Sequence, residues 1–174
     1  MSAAWLGGAG VRVFGIDPGS TVTGFGVVES SRGRLLLISS GCVRTSAAEP
    51  MGQRLARIHQ ALYDAIGAAT VDAVAIEAIF RHKSSESALR LGQARGVALL
   101  AAAQHGFEAV AYNPMTVKST VGAHGGADKD GVARMVRMLI GEVVPGPADV
   151  TDAIAIAITH CQHARSSALL GGAR

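Results

Sequence analysis

Three extended apolar runs near the start of the chain are separated by connections too short for anything but hairpins. Arg12–Asp17 is followed by Pro18-Gly19-Ser20, Val22–Glu29 by Ser31-Arg32-Gly33-Arg34, and Leu35–Val43 completes the set. Pro presets φ and Gly permits φ > 0, so both connections read as tight turns. Strands joined in this way are antiparallel neighbours. Leu55, Ile58, Leu62 and Ile66 then repeat at helical spacing, which predicts an amphipathic helix over Met51–Gly67. Val71–Glu77 follows as a fourth strand. A strand–helix–strand unit returns parallel to its start, so this strand is expected beside the first.

Further along, an Ala-rich helix is predicted from Ser84 to Gly106, capped by Ser84 or Ser85. Glu108–Tyr112 reads as strand five, and Asn113-Pro114 as the start of a short helix. Asp128–Ile140 carries Val132, Met135, Val136, Leu139 and Ile140 on one face, and a last helix is expected from Asp149 to about Arg165. The expected architecture is α/β: a five-stranded mixed sheet, three antiparallel strands then two parallel, with helices on both faces. One domain over 11–165 is expected between a loose tail at 1–10 and another at 166–174.

The 174 residues are 49% hydrophobic and 17% charged, a globular balance and not a disordered one. Two cysteines, Cys42 and Cys161, without a CxxC pattern, point to a reducing cytoplasm. Met1–Gly10 lacks the basic and apolar regions of a signal peptide, and no apolar run is long enough for a bilayer.

Four acids stand at the edges of the apolar segments. Asp17 ends strand one, Glu77 ends strand four, and Asp149 and Asp152 open the last helix three residues apart, on one face. If strands one and four are neighbours, Asp17 and Glu77 lie together where open α/β sheets bind ligands. Carboxylates at such places are costly without a counter-charge, and a divalent cation can serve several at once. Two such ions suit in-line phosphodiester hydrolysis, one generating the nucleophile and the other stabilising the leaving oxygen. Plainer readings exist for each acid alone: Asp149 as a helix-start partner of the dipole, Glu77 as a solvent-facing strand end, and Asp17 in Gly15–Ser20 as part of an actin-like phosphate loop. The formal charge is +3; with four of thirteen acids neutralised, nine remain against sixteen Lys and Arg, leaving about +7 for a polyanion to meet.

Gly15-Ile16-Asp17-Pro18-Gly19-Ser20, Ala75-Ile76-Glu77, Leu91-Gly92-Gln93-Ala94-Arg95-Gly96 and Ala148-Asp149-x-x-Asp152-Ala153-Ile154-Ala155-Ile156-Ala157 resemble, in the same order, the RuvC family of Holliday junction resolvases. The resemblance runs from about Val11 to His163. It implies an RNase H-like fold and a homodimer that nicks two opposing strands of a four-way DNA junction, leaving 5′-phosphate and 3′-hydroxyl ends. It also implies work alongside the RuvA–RuvB branch-migration complex. The family's four metal-binding catalytic acids map onto Asp17, Glu77, Asp149 and Asp152, with two Mg²⁺ expected and Mn²⁺ as a substitute. Phe80, beside Arg81, His82 and Lys83, is expected to stack on an unpaired base, although a Phe folded onto the core is the plainer reading. Arg81, Lys83, Lys118 and Lys129 are expected to contact phosphates, and the resemblance places Lys118 and Lys129 near the scissile one. His124 is left between a loop residue and a phosphate contact. His160, Cys161 and His163 lack the further ligands that zinc requires. Gly92 and Gly96, with Leu89, Leu99 and Leu100 nearby, mark either a packed core helix or, as the family implies, a two-fold interface. Another RNase H-like nuclease, or a fragment of an actin-like ATPase, is the alternative reading.

Overall fold

β1 (Val11–Asp17), β2 (Val22–Ser31), β3 (Arg34–Arg44), β4 (Ala73–Glu77) and β5 (Val110–Tyr112) form one sheet in the order β3-β2-β1-β4-β5. The computed structural model describes residues 10–78, 84–122 and 129–171. β1–β2 and β2–β3 are antiparallel, and β4 lies parallel to β1 and to β5, as the short turns and the intervening helices require. The two residues between β2 and β3, Arg32 and Gly33, have φ of 50° and 80°. Left-handed backbone at both central positions is the two-residue turn that matches the strands' own twist.

Alternation along the strands separates two cores. Phe14, Ile16, Val27, Val74 and Ile76 point to one face. There α1 (Met51–Ala68) supplies Ile58, Leu62 and Ile66, and α2 (Ser85–Gln104) supplies Ala94, Ala98, Ala101 and Ala102. Val13, Val28 and Ala75 point to the other face. That face is covered by α5 (Ala148–Gly171), with α3 (Pro114–Thr120) and α4 (Lys129–Ile140) packed outside it. Buried on all sides from Ala153 to Thr159, α5 is apolar around its whole circumference there. Its one buried hydroxyl, that of Thr159, donates to the Ala155 carbonyl at 2.8 Å.

Three glycines set how closely α5 approaches. A Cβ on Gly15 would lie 2.1 Å from the Ala153 carbonyl oxygen, on Gly24 2.0 Å from that of Asp149, and on Gly26 2.4 Å from Ile154 Cγ1. Helix backbone therefore rests directly on strand backbone.

Most expected boundaries move by no more than two residues, as where β4 begins at Ala73 and not Val71, and one moves further. α5 runs on to Gly171, beyond the expected end near Arg165, into the segment read as a loose tail. Nothing in Ser166-Ser167-Ala168-Leu169-Leu170 breaks a helix before Gly171-Gly172, and the Ser166 hydroxyl donates to the Gln162 carbonyl one turn back. β5 is three residues, shorter than Glu108–Tyr112, because only Val110, Ala111 and Tyr112 find partners on the five-residue β4. Of the expected N-terminal tail, only Gly10 is among the described residues.

Candidate active site

Asp17 and Glu77 are the last residues of β1 and β4, and the ladder pairs Ile16 with Ile76 immediately before them. They therefore stand side by side at one end of the sheet. The same alternation that sends Ile16 and Ile76 to the α1–α2 face sends both acids to the α5 face. β1 continues past Asp17 into a turn with its own internal bonds: the Thr23 hydroxyl accepts from the Gly19 amide at 3.3 Å and donates to the Gly19 carbonyl at 2.7 Å.

α5 brings the other two acids to this corner. The Asp149 carbonyl rests on Gly24, whose Cα is the ladder partner of Asp17. Asp149 also lies in the first turn of the helix, where the macrodipole favours a carboxylate. One turn on, Asp152 shares a recess of about 170 Å³ with Glu77, Lys118, Pro114, Val117, Val132 and Ile156. All four acids and Lys118 are half-buried.

Recess and ladder thus collect Glu77, Asp152 and Lys118 in one place and set Asp17 and Asp149 beside it. They do not close a ligand cage: among the described residues, no three of His, Cys, Asp and Glu are gathered as a ready metal-binding set. The donor chemistry nevertheless fits a hard divalent cation, which takes carboxylate oxygens. Lys129 opens α4. Phe80, Arg81, His82, Lys83 and His124 lie outside the described residues.

Several residues that hold this corner lie outside the acids and lysines expected above, Arg95 among them although it stands within the Leu91–Gly96 motif. Arg95 Nε donates to the Glu77 carbonyl at 3.1 Å. Arg54, only 4% exposed, donates through Nε at 3.1 Å and Nη2 at 2.5 Å to the Ser20 carbonyl, in the turn that follows Asp17. The Thr45 hydroxyl donates to the same oxygen at 2.6 Å. Arg54 was detectable in principle, since it stands four residues before Ile58 on the apolar stripe of α1. Gly24 and Gly26, glycines inside a strand, were the available sign of a close backbone approach.

Two rival readings lose their basis. The Gly15 and Gly19 positions are consumed by internal packing, against Ala153 and against Val22, whose carbonyl oxygen a Gly19 Cβ would approach to 2.1 Å. The Gly19 amide already donates to Thr23, so this turn is not an open phosphate cradle. The His160–Cys161–His163 cluster does not converge on one point: the Cys161 sulfur faces the Val28 carbonyl 3.9 Å away, while the His160 and His163 rings pack against Tyr112.

A family model described as crossover junction endodeoxyribonuclease RuvC matches residues 13–160. The crossover junction endodeoxyribonuclease RuvC of Myxococcus xanthus is 46% identical over 159 residues, covering 90% of this chain and 83% of that protein. Its Rhodopseudomonas palustris counterpart is 42% identical over 160 residues, covering 92% of each. Among solved structures, Thermus thermophilus RuvC in complex with a Holliday junction substrate superposes with a TM-score of 0.80 at 38% identity, over 90% of this chain and 96% of that one. The yeast mitochondrial Holliday junction resolvase Ydc2 shares the fold, with a TM-score of 0.63 at 14% identity.

Proposed function

The chain belongs to the RuvC family of crossover junction endodeoxyribonucleases, and from that premise we propose that Asp17, Glu77, Asp149 and Asp152 form its catalytic centre. It is an endonuclease that resolves Holliday junctions, and the family's chemistry is metal-dependent phosphodiester hydrolysis. The observation that carries the assignment is the shared recess: Glu77 and Asp152, from a strand end and a helix start, meet Lys118 there.

The four carboxylates would hold two Mg²⁺, with Mn²⁺ able to substitute. When bound, such ions lower the pKa of water and neutralise charge on the phosphate being cleaved. The protein's own groups do the rest. Lys118 sets a positive charge against a non-bridging phosphate oxygen, while Pro114, Val117, Val132 and Ile156 give the recess apolar walls that limit competing water. Phe80 stacks on a base unpaired at the junction, and Arg81, Lys83 and Lys129 grip the backbone around it. Neutralised acids leave a net positive molecule for the polyanionic substrate.

Paired nicks at symmetric positions call for two linked centres, hence a homodimer. α2 offers the face. Leu89 is 64% and Leu100 50% exposed, and Gly96 between them on the same stripe has open space where a Cβ would be. A cytoplasmic enzyme working on junctions handled by the RuvA–RuvB complex completes the reading. Among the described residues no helix is long and apolar enough to cross a membrane.

The test is a synthetic four-way junction incubated with the purified chain and Mg²⁺. Asp152→Asn should cut at least about 100-fold more slowly while still binding the junction, since a ligand matters at least as much as the groups that orient it. Cleavage by that variant at the unmodified rate overturns the assignment. Parallel reactions with plain duplex and RNA–DNA hybrid separate junction resolution from the activity of another RNase H-like nuclease.

A further inference from the structure

Three pieces of the proposed centre sit on three separate elements: Glu77 on β4, Lys118 on α3 and Asp152 on α5. All three are tied to one residue, Tyr112: β4 and α3 through its backbone and its neighbour Asn113, α5 through its side chain. Tyr112 ends β5 as the ladder partner of Glu77, and its carbonyl accepts from the Ala78 amide at 2.8 Å. The next residue, Asn113, caps α3 by accepting from the Met115 amide at 2.8 Å. From the same point the Tyr112 ring crosses to α5. Its hydroxyl lies 3.0 Å from His160 Nδ1, and its ring meets the His160 and His163 rings edge-on, at centroid distances of 5.9 and 5.3 Å. Tyr112 is 8% exposed. His160 lies eight residues beyond Asp152, about 12 Å along the helix.

β5 has little else to hold it. It is a three-residue strand at the sheet edge, paired on one side only. Without a cross-link to α5, the end of β4 and the start of α3 could shift against the helix by the fraction of an ångström that a carboxylate centre does not tolerate. We propose that Tyr112 and His160 are a positioning pair for junction cleavage: their hydrogen bond locks the Glu77 strand end and the Lys118 helix to the helix that carries Asp152. The pair touches neither substrate nor metal and acts through the residues it holds. This rests on the assignment of Glu77 and Asp152 made above.

Tyr112→Phe removes the hydroxyl and keeps the packed ring. It should slow single-turnover junction cleavage on the order of 10-fold and raise the Mg²⁺ concentration giving half the maximal rate, as loss of an orienting hydrogen bond does in metal enzymes. Junction affinity without metal and thermal midpoint should hold. His160→Ala should behave alike, His160→Asn, which retains a polar atom in place of Nδ1, should recover most of the rate, and the Tyr112→Phe/His160→Ala double variant should be no slower than the worse single one. An unchanged rate and Mg²⁺ dependence in Tyr112→Phe overturns the proposal. So does a slower rate matched by an equal fall in thermal midpoint that His160→Asn shares, because that marks packing alone. Glu77→Gln, run alongside, separates two failures. Cleavage retained by that variant overturns the catalytic assignment together with this inference, whereas an inactive Glu77→Gln beside a fully active Tyr112→Phe overturns this inference alone.

Discussion

Glycines set how closely α5 approaches the corner proposed as the cleavage site. Gly24 is the sharpest case, with the Asp149 carbonyl 2.0 Å from where its Cβ would be. The obstructing atom is backbone, so Gly24→Ala has to push the first turn of α5 away from the sheet. We expect it to cost about 1–3 kcal/mol, as overpacking does, and to slow cleavage as well because Asp149 moves with the helix. Gly52, in α1, has nothing within 4 Å, and Gly52→Ala should be neutral or stabilising by up to about 1 kcal/mol. Thermal melts of both variants with cleavage rates of the first check the contrast. The acids were visible in the sequence as charged ends of apolar runs. The glycines were visible only as residues, since what each one faces comes from a segment more than a hundred positions away.

Elements differ in how openly their sequences declare them. α1 repeats apolar residues at helical spacing, and Ile58, Leu62 and Ile66 are buried as that spacing requires. Ser84 and Asn113 cap α2 and α3 through their side chains, as their positions before the helices predict. α5 declares less. It is apolar all round, so periodicity says that it is buried but not what against. Its end lies beyond the expected one because serine and alanine, without proline or glycine, do not stop a helix. The buried face of α5 also carries a titrating group. Burial, reinforced by nearby His163, lowers the His160 pKa below its usual 6.5. The unfolded chain then binds that proton more readily, so the stability held by neutral His160 is full above about pH 6.5 and is lost as the pH falls through the lower native value. Thermal midpoints measured between pH 7.5 and 5 should drop more steeply for the unmodified protein than for His160→Asn.

For the whole molecule, the open question is how two cuts are coordinated. The exposed α2 stripe gives the prediction at this scale. Leu89→Glu combined with Leu100→Glu would place charges on a face that the proposed dimer buries, and sedimentation should show a monomer where the unmodified chain is expected to sediment as a dimer. The double variant should then give single nicks in place of paired ones on a junction held in a supercoiled plasmid. A dimer that survives both substitutions assigns the interface to another surface.

Read by itself, the chain determined the order of strands and helices, the hairpins, the two-faced burial of the sheet and the identity of the acids. These follow from local spacing, turn chemistry and alternation, which act over a few residues. Only the tertiary structure decided that Asp17 and Glu77 face the same side, that Asp149 rests on Gly24, that Asp152 and Lys118 share a recess with Glu77, and that Arg54 and Arg95 bond the Ser20 and Glu77 carbonyls beside them. Contacts of that kind depend on register and on the distance between packed layers. Both are set by many weak interactions acting together across the fold, and no short stretch of sequence contains them.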